Sequence, residues 1–206
     1  MKAINNTNLV DGLCGNCSCA AFTPSVQYTI GAKNIVFTQS STFDAGDSFK
    51  RLVIQVYDKN GKQSNSIMSG AGTGATATAV LGGGGVITAI NVGAAGSGYT
   101  VPPRVKITGG TGAIAKAVIN ALGEVVGVEI IDGGTGYAAP TVTFITTEAE
   151  VSLIGMDMTK LQMKATLISK GGCKADLAQT YMSDAATSGN LGNINKQGDN
   201  NEAGDN

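Results

Sequence analysis

The sequence predicts an all-β protein, and three observations predict it. Apolar and polar residues alternate with a period of two in several short runs. Glycine stands at about twice its usual share, with 30 residues in a chain of 206. Aromatic residues make up only 5% and tryptophan is absent, which suits thin β layers packed through small side chains and not one thick aromatic core. The expected architecture is a β-sandwich-like host domain carrying an inserted, duplicated glycine-rich β-repeat module. An extended N-terminal arm and a polar C-terminal tail complete it.

Residues 1–25 read as the arm, first polar, then cysteine-rich, and closed by Pro24. The host domain is expected over 26–69 and 146–182. Val26, Tyr28 and Ile30 alternate with polar partners, and Leu52, Ile54 and Val56 alternate with Val53, Gln55 and Tyr57. Asn60-Gly61 then signals a type I′ hairpin, because both residues tolerate a positive φ. Composition changes at Gly70, and the richness in small residues runs to about Ile145. Beyond it, Met156 and Met158 are expected on a strand as core filler. Lys160–Leu167 alternates cleanly and reads as a strand with one wet face. Ala175–Met182 is expected as a short helix. Residues 183–206 are a tail of Ser, Gly, Asn, Asp and Gln that cannot offset its own ordering entropy. Arm and tail are therefore expected to be held by a neighbouring subunit.

The segment 70–145 contains one unit twice. Gly72-Thr73-Gly74-Ala75-Thr76-Ala77-Thr78-Ala79-Val80 matches Gly110-Thr111-Gly112-Ala113-Ile114-Ala115-Lys116-Ala117-Val118 at an offset of 38 residues. Ile90 matches Val128, and Val92 matches Ile130. Gly96-Ser97-Gly98-Tyr99 matches Gly134-Thr135-Gly136-Tyr137. After the loss of one residue, Pro103-Arg104-Val105-Lys106-Ile107 matches Pro140-Thr141-Val142-Thr143-Phe144. Each unit reads as three strands. Thr88, Ile90 and Val92 are expected inward in the first copy, and Val126, Val128 and Ile130 in the second. At the corners, Gly96, Gly98, Gly134 and Gly136 are free to take backbone angles closed to other residues. Tyr99 and Tyr137 can cap a small core while each hydroxyl reaches a backbone partner. Pro103 and Pro140 stiffen the return into the last strand.

The pattern Gly-Ser-Gly-Tyr-Thr-x-x-Pro-x-Val-x-Ile, preceded by Gly-Thr-Gly-Ala-Thr-Ala-Thr-Ala, resembles a β repeat of tailed-phage virion proteins. It occurs there in head-decoration, head-fibre and tail-fibre components, often as an insertion, and a capsid-surface protein of a crAss-like phage is one such setting. The resemblance covers residues 70–145. It implies a virion structural protein, made in the host-cell cytoplasm and forming homo-oligomers. Its implied partners are the major capsid protein or fibre subunits.

Composition excludes other classes of function. Net charge is −1 and charged residues are 14%. Lys50-Arg51 is the densest cationic spot, so no nucleic-acid partner is expected, and the longest apolar stretches are far shorter than a membrane span, so no membrane partner is expected. No apolar signal core follows Met1, so the Asn5 and Asn16 sequons carry no glycosylation meaning. The absence of histidine removes imidazole triads and most catalytic zinc sites. Gly82–Gly85 lacks the lysine of a phosphate loop. The carboxylate pairs Asp44/Asp47 and Glu148/Glu150 read as solvated surface, and Asp132-Gly133-Gly134 lacks the further oxygens of a calcium loop. No enzyme is expected.

The cysteines leave three readings open. Cys14, Cys17 and Cys19 place three thiols within six residues, and Cys173 follows a Gly171-Gly172 approach. Together they suit a tetrahedral zinc site, an arm-to-loop disulfide, or free thiols. Of the functional classes, a structural virion protein leads. A fibre adhesion module that binds a host surface glycan is the alternative, disfavoured because few tyrosines are left to stack on sugar.

Overall fold

The computed structural model describes residues 26–39, 49–169, 174–182 and 188–193. These residues are all β apart from turns and one 3-10 turn at Gly83–Gly85. The strands are β1 (Val26–Ile30), β2 (Asn34–Gln39), β3 (Phe49–Asp58), β4 (Gln63–Met68), β5 (Thr73–Leu81), β6 (Ile87–Ser97), β7 (Arg104–Thr108) and β8 (Thr111–Ile119). They continue with β9 (Val125–Thr135), β10 (Thr141–Ile145), β11 (Glu148–Ser152), β12 (Lys160–Ser169), β13 (Lys174–Met182), β14 (Ser188–Asn190) and β15 (Gly192–Asn193).

The chain divides into two compact units. The first comprises residues 1–29, 37–65 and 155–206. Its main sheet runs β15-β13-β12-β3-β4. Alternation buries Leu52, Ile54 and Val56 of β3 and Leu161, Met163, Ala165 and Leu167 of β12 on one face. The expected helix at 175–182 is instead strand β13, in register with β12 from Lys160↔Met182 to Ile168↔Lys174. Leu177 faces Ala165 there and is fully buried, so tertiary pairing overrides the local helix preference of Ala, Leu and Gln.

The β3–β4 turn also differs from expectation. Gly61 N donates to Asp58 O, which centres the turn on Lys59-Asn60, and Gly61 follows with φ +80°. Asp58 takes over the anchoring. Its carboxylate accepts from Asn60 N and Lys62 N, and from Asp157 N in the turn before β12. Met156 and Met158 lie in that same turn, half-buried, and not on a strand. Residues 188–193 of the expected tail are held by this chain itself. β14 pairs with β1 and β15 with β13. Leu191 between them is buried, and its N–H donates to Val26 O at 2.8 Å. One apolar side chain in a polar run supplies the anchor.

The second unit comprises 30–36 and 66–154, so it extends beyond the repeat on both sides. The repeat's two ends meet, with Gly70 N donating to Thr146 O at 3.0 Å. The copies are the same structure twice. Hairpin β5–β6 and hairpin β8–β9 share one register, and both carry bulges at matching places: Thr76/Ala77 with Ile114/Ala115, and Val80/Leu81 with Val118/Ile119. The bulges correct the expected facing. Ile87 and Val125 point inward, while Thr88 and Val126 are exposed, because the extra residue inverts the alternation at the start of β6 and β9. Ala75, Ala77 and Ala79, with Ala113, Ala115 and Ala117, line the core from β5 and β8.

The third strands cross between copies. β7 of the first pairs with β10 of the second, Arg104↔Ile145 to Thr108↔Thr141. The sheet then runs β10-β7-β8-β9, which puts β7 beside the second copy's opening strand, and β10 packs against β5 of the first. Pro103 and Pro140 stand just before β7 and β10. The tyrosine corners close the exchange. Ala75 N donates to the Tyr99 hydroxyl and Ala113 N to the Tyr137 hydroxyl, each at 3.2 Å, and both rings are 4% exposed. Each ring covers a glycine of its own copy, Gly72 or Gly110, where a Cβ would stand 2.3 or 2.5 Å from ring carbons. Each corner also reaches the other copy: Tyr99 N donates to Gly123 O at 3.1 Å, and Tyr137 N to Gly85 O at 3.0 Å. Gly85 and Gly123 have φ of +69° and +73°, and a Cβ on either would lie 2.6 Å from the opposing tyrosine carbonyl.

Two substitutions test this joint. Tyr99→Phe and Tyr137→Phe each remove one hydroxyl acceptor and should cost about 1 kcal/mol, by similar amounts. Gly85→Ala and Gly123→Ala should each cost about 2 kcal/mol or more, since strain and a backbone clash add. Urea unfolding of the four variants checks both the sizes and their pairwise equality.

Candidate functional site

A cleft of about 460 Å3 lies within the second unit, beside the second copy's corner. Its walls come from three places. β7 contributes Arg104, Val105 and Ile107. The glycine-led start of β8 and the end of β9 contribute backbone, hydroxyls and Asp132. The turn into β2 and strand β11 contribute Lys33, Asn34 and Glu150. Gly31 N donates to Asn34 O at 2.8 Å, which shapes that turn, and Leu153 N donates to Lys33 O at 2.7 Å, which fixes it beside the end of β11.

Charge is tightly organised here. The Arg104 guanidinium binds Glu148 through Nη1 and Glu150 through Nε, the latter at 3.2 Å. Its side chain is 11% exposed and that of Glu150 is 8% exposed. Asn34 Nδ2 donates to the other oxygen of Glu150. Both oxygens of that near-buried carboxylate are thus engaged, which a buried charge requires. Across the cleft, Lys33 Nζ pairs with Asp132 at 2.5 Å, and Asp132 also accepts from Gly134 N at 2.8 Å. The hydrogen bond from Lys33, and then that from Gly134, hold the Asp132 carboxyl below its ordinary pKa.

The expectation of solvated surface for Glu148 and Glu150 is therefore corrected. Their shared strand face, predicted from their spacing of two, turns toward Arg104 and not toward water. The corner residues Gly96, Gly98, Tyr99, Gly134, Gly136 and Tyr137 all fall at the repeat joints, with all four of these glycines at positive φ. Of these, Gly134 and Tyr137 also line the cleft. Gly82–Gly85 is the β5–β6 turn, closed by Gly82 N donating to Val86 O, and its counterpart Asn120 N donates to Glu124 O. Cys14, Cys17, Cys19 and Cys173 lie outside the described residues, as do Asp44 and Asp47. Among the described residues no group of Cys, Asp and Glu is placed to hold a metal ion.

Lys33, Asn34 and Arg104 are not among the sequence candidates, and Asp132 enters there only as the start of a stretch that lacks the oxygens of a calcium loop. A signal for two of them lies in the repeat itself. The first copy builds the same strands with Ala94 where the second has Asp132, and β10 has Thr141 where β7 has Arg104. The fold demands neither charge. No family model matches the chain, no curated protein matches it, and no solved structure matches it.

The Asp132 shift has a definite sign. A carboxyl whose folded pKa lies below its unfolded value of about 3.9 contributes stability above that value and loses it as pH falls through the folded pKa. Wild type should therefore exceed Asp132→Asn in denaturation midpoint at pH 7, and the gap should shrink below about pH 4. A gap independent of pH would show that Lys33 does not act on this carboxylate. Arg104→Met strands Glu150 in a near-buried place and should cost about 3 kcal/mol. Adding Glu148→Gln and Glu150→Gln should recover much of that loss in the same measurement.

Proposed function

We propose that the chain is a structural component of a phage virion, decorating or projecting from the capsid and bound to neighbouring capsid or fibre subunits. The observation that carries this reading is the reciprocal joint between the copies. The motif residues on which the resemblance to tailed-phage virion proteins rests are consumed in architecture: glycines turn the corners, the tyrosine hydroxyls accept from the backbone, and each tyrosine N–H ties one copy to the other. A unit of this kind is a rigid building block, suited to presenting a surface in many copies.

The surface it presents is asymmetric. At the β8–β9 tip, Leu122 is 79% exposed and Val126 56% exposed, with Val118 exposed beside them. The first copy has Gly84 and Thr88 at the matching positions. In this reading the apolar tip belongs to contacts with neighbouring subunits, because exposed apolar clusters mark interaction sites.

Mass spectrometry of particles purified from cells expressing the gene in its own genome tests the reading. The chain should be recovered at a fixed copy number per particle. Leu122→Asp combined with Val126→Asp should lower that number while leaving the melting temperature of the isolated protein unchanged. Abundance in the lysate with none in purified particles would overturn it.

A further inference from the structure

We infer that the cleft beside Tyr137 is a binding site for a neutral polyhydroxylated ligand, a single pyranose or a short saccharide. The inference goes beyond the assembly role and does not depend on it.

Size comes first. About 460 Å3 falls within the range of roughly 300–1,000 Å3 typical of small-molecule sites. Charge balance then selects the ligand's class. Arg104 and Lys33 face Asp132 and Glu150, and every one of these charges is already paired. An anion entering the cleft meets two carboxylates, and a cation meets the guanidinium and the ammonium. Either is attracted by one member of each pair and repelled by the other, so charge brings it little net gain. A neutral ligand meets no such opposition.

The remaining hydrogen-bonding capacity is mixed in sign. Arg104 uses Nε and Nη1, and its Nη2 has no partner among the described residues. The Tyr137 hydroxyl accepts from Ala113 N and keeps its own hydrogen to donate. Asp132 retains further lone-pair directions, and Thr111 and Thr135 add hydroxyls. Groups that donate and groups that accept, lining one cleft, match ligand hydroxyls, each of which does both. Ile107, partly exposed on the cleft wall, supplies apolar surface for the C–H face of a sugar ring.

The comparison between copies separates this site from the fold. Asp132 and Arg104 replace residues that serve the same strands as Ala94 and Thr141. The same strands form with either set of residues, so the charges are not required by the fold. The same comparison yields the test. Asp132→Ala installs what the first copy already carries at that position, so it is compatible with the strand, and the Lys33 it releases is half-exposed.

Saturation-transfer NMR on the full chain, with the methyl pyranosides of glucose, galactose, mannose and N-acetylglucosamine as probes, should show transfer to the ring hydrogens of at least one. Asp132→Ala should weaken that probe's affinity about 10-fold or more, the scale of one charge-assisted hydrogen bond. Thr135→Val, at an exposed position, should weaken it by a smaller factor. Thr135→Val should melt with wild type, and Asp132→Ala should still melt cooperatively, at the lower midpoint expected once the Lys33 and Gly134 contacts are lost. The inference is overturned if no probe binds at millimolar concentration, or if binding survives both substitutions. It is also overturned if glucuronate or a sugar phosphate binds more tightly than every neutral probe.

Discussion

Two backbone hydrogen bonds set the terms for the glycine-rich unit: Tyr99 N to Gly123 O and Tyr137 N to Gly85 O. They are the same bond made twice in opposite senses. Each copy gives its tyrosine corner to the hairpin turn of the other and receives the other's corner in return. Gly85 and Gly123 are glycines for that reason, since a side chain at either would occupy the space of the arriving tyrosine backbone. The exchange of third strands follows the same logic. β7 beside β8 and β10 beside β5 leave neither copy with a complete sheet of its own. A single copy would expose the inner face of its hairpin and an unmatched strand edge, so duplication is the condition of folding here, as in repeat proteins generally.

A joint of this kind fixes what the copies must share and leaves the rest open. The shared positions are the inward alanines, the bulges, the corner glycines and the tyrosines. The unshared positions are where the chain has its own business. The charged ones, Arg104 and Asp132, fall where 30–36 and β11 border the repeat. The apolar ones, Leu122 and Val126, fall at the hairpin tip. Neither set contributes to the common core, so the two copies act as internal controls for one another.

Much of the fold was legible because its signals are local. Period-two alternation marks β1, β3 and β12 directly, and the 38-residue self-match marks the repeat and its corners. What escaped has a long-range cause. The bulges at Val80/Leu81 and Val118/Ile119 move Thr88 and Val126 outward, yet a bulge is a property of two strands together and neither strand announces it alone. β13 has helix-forming composition and becomes a strand because β12 offers it a full-length partner. Leu191 makes its anchor against Val26, far away in sequence. The cleft was the least legible. Glu148 and Glu150 look solvated on a strand, and only the fold brings Arg104 to them from 44 and 46 residues away.

The Arg104 cluster also shows why burial and stability should be kept apart. A guanidinium and a carboxylate removed from water lose hydration that their mutual attraction only roughly restores, and an apolar pair of equal volume often does as well. β10, with Thr141 in the matching place, manages without a charge. What the ion cluster has that an apolar contact lacks is direction. A forked donor meeting Glu148 and Glu150 on alternate positions of one strand, with Asn34 fixing the second oxygen of Glu150, admits few arrangements of β7, β11 and the β2 turn. Geometry held this firmly keeps the Arg104 Nη2 group and the Asp132 carboxylate at set positions along the cleft wall. Placement of that kind matters little to a packed core and a great deal to a site that must recognise something.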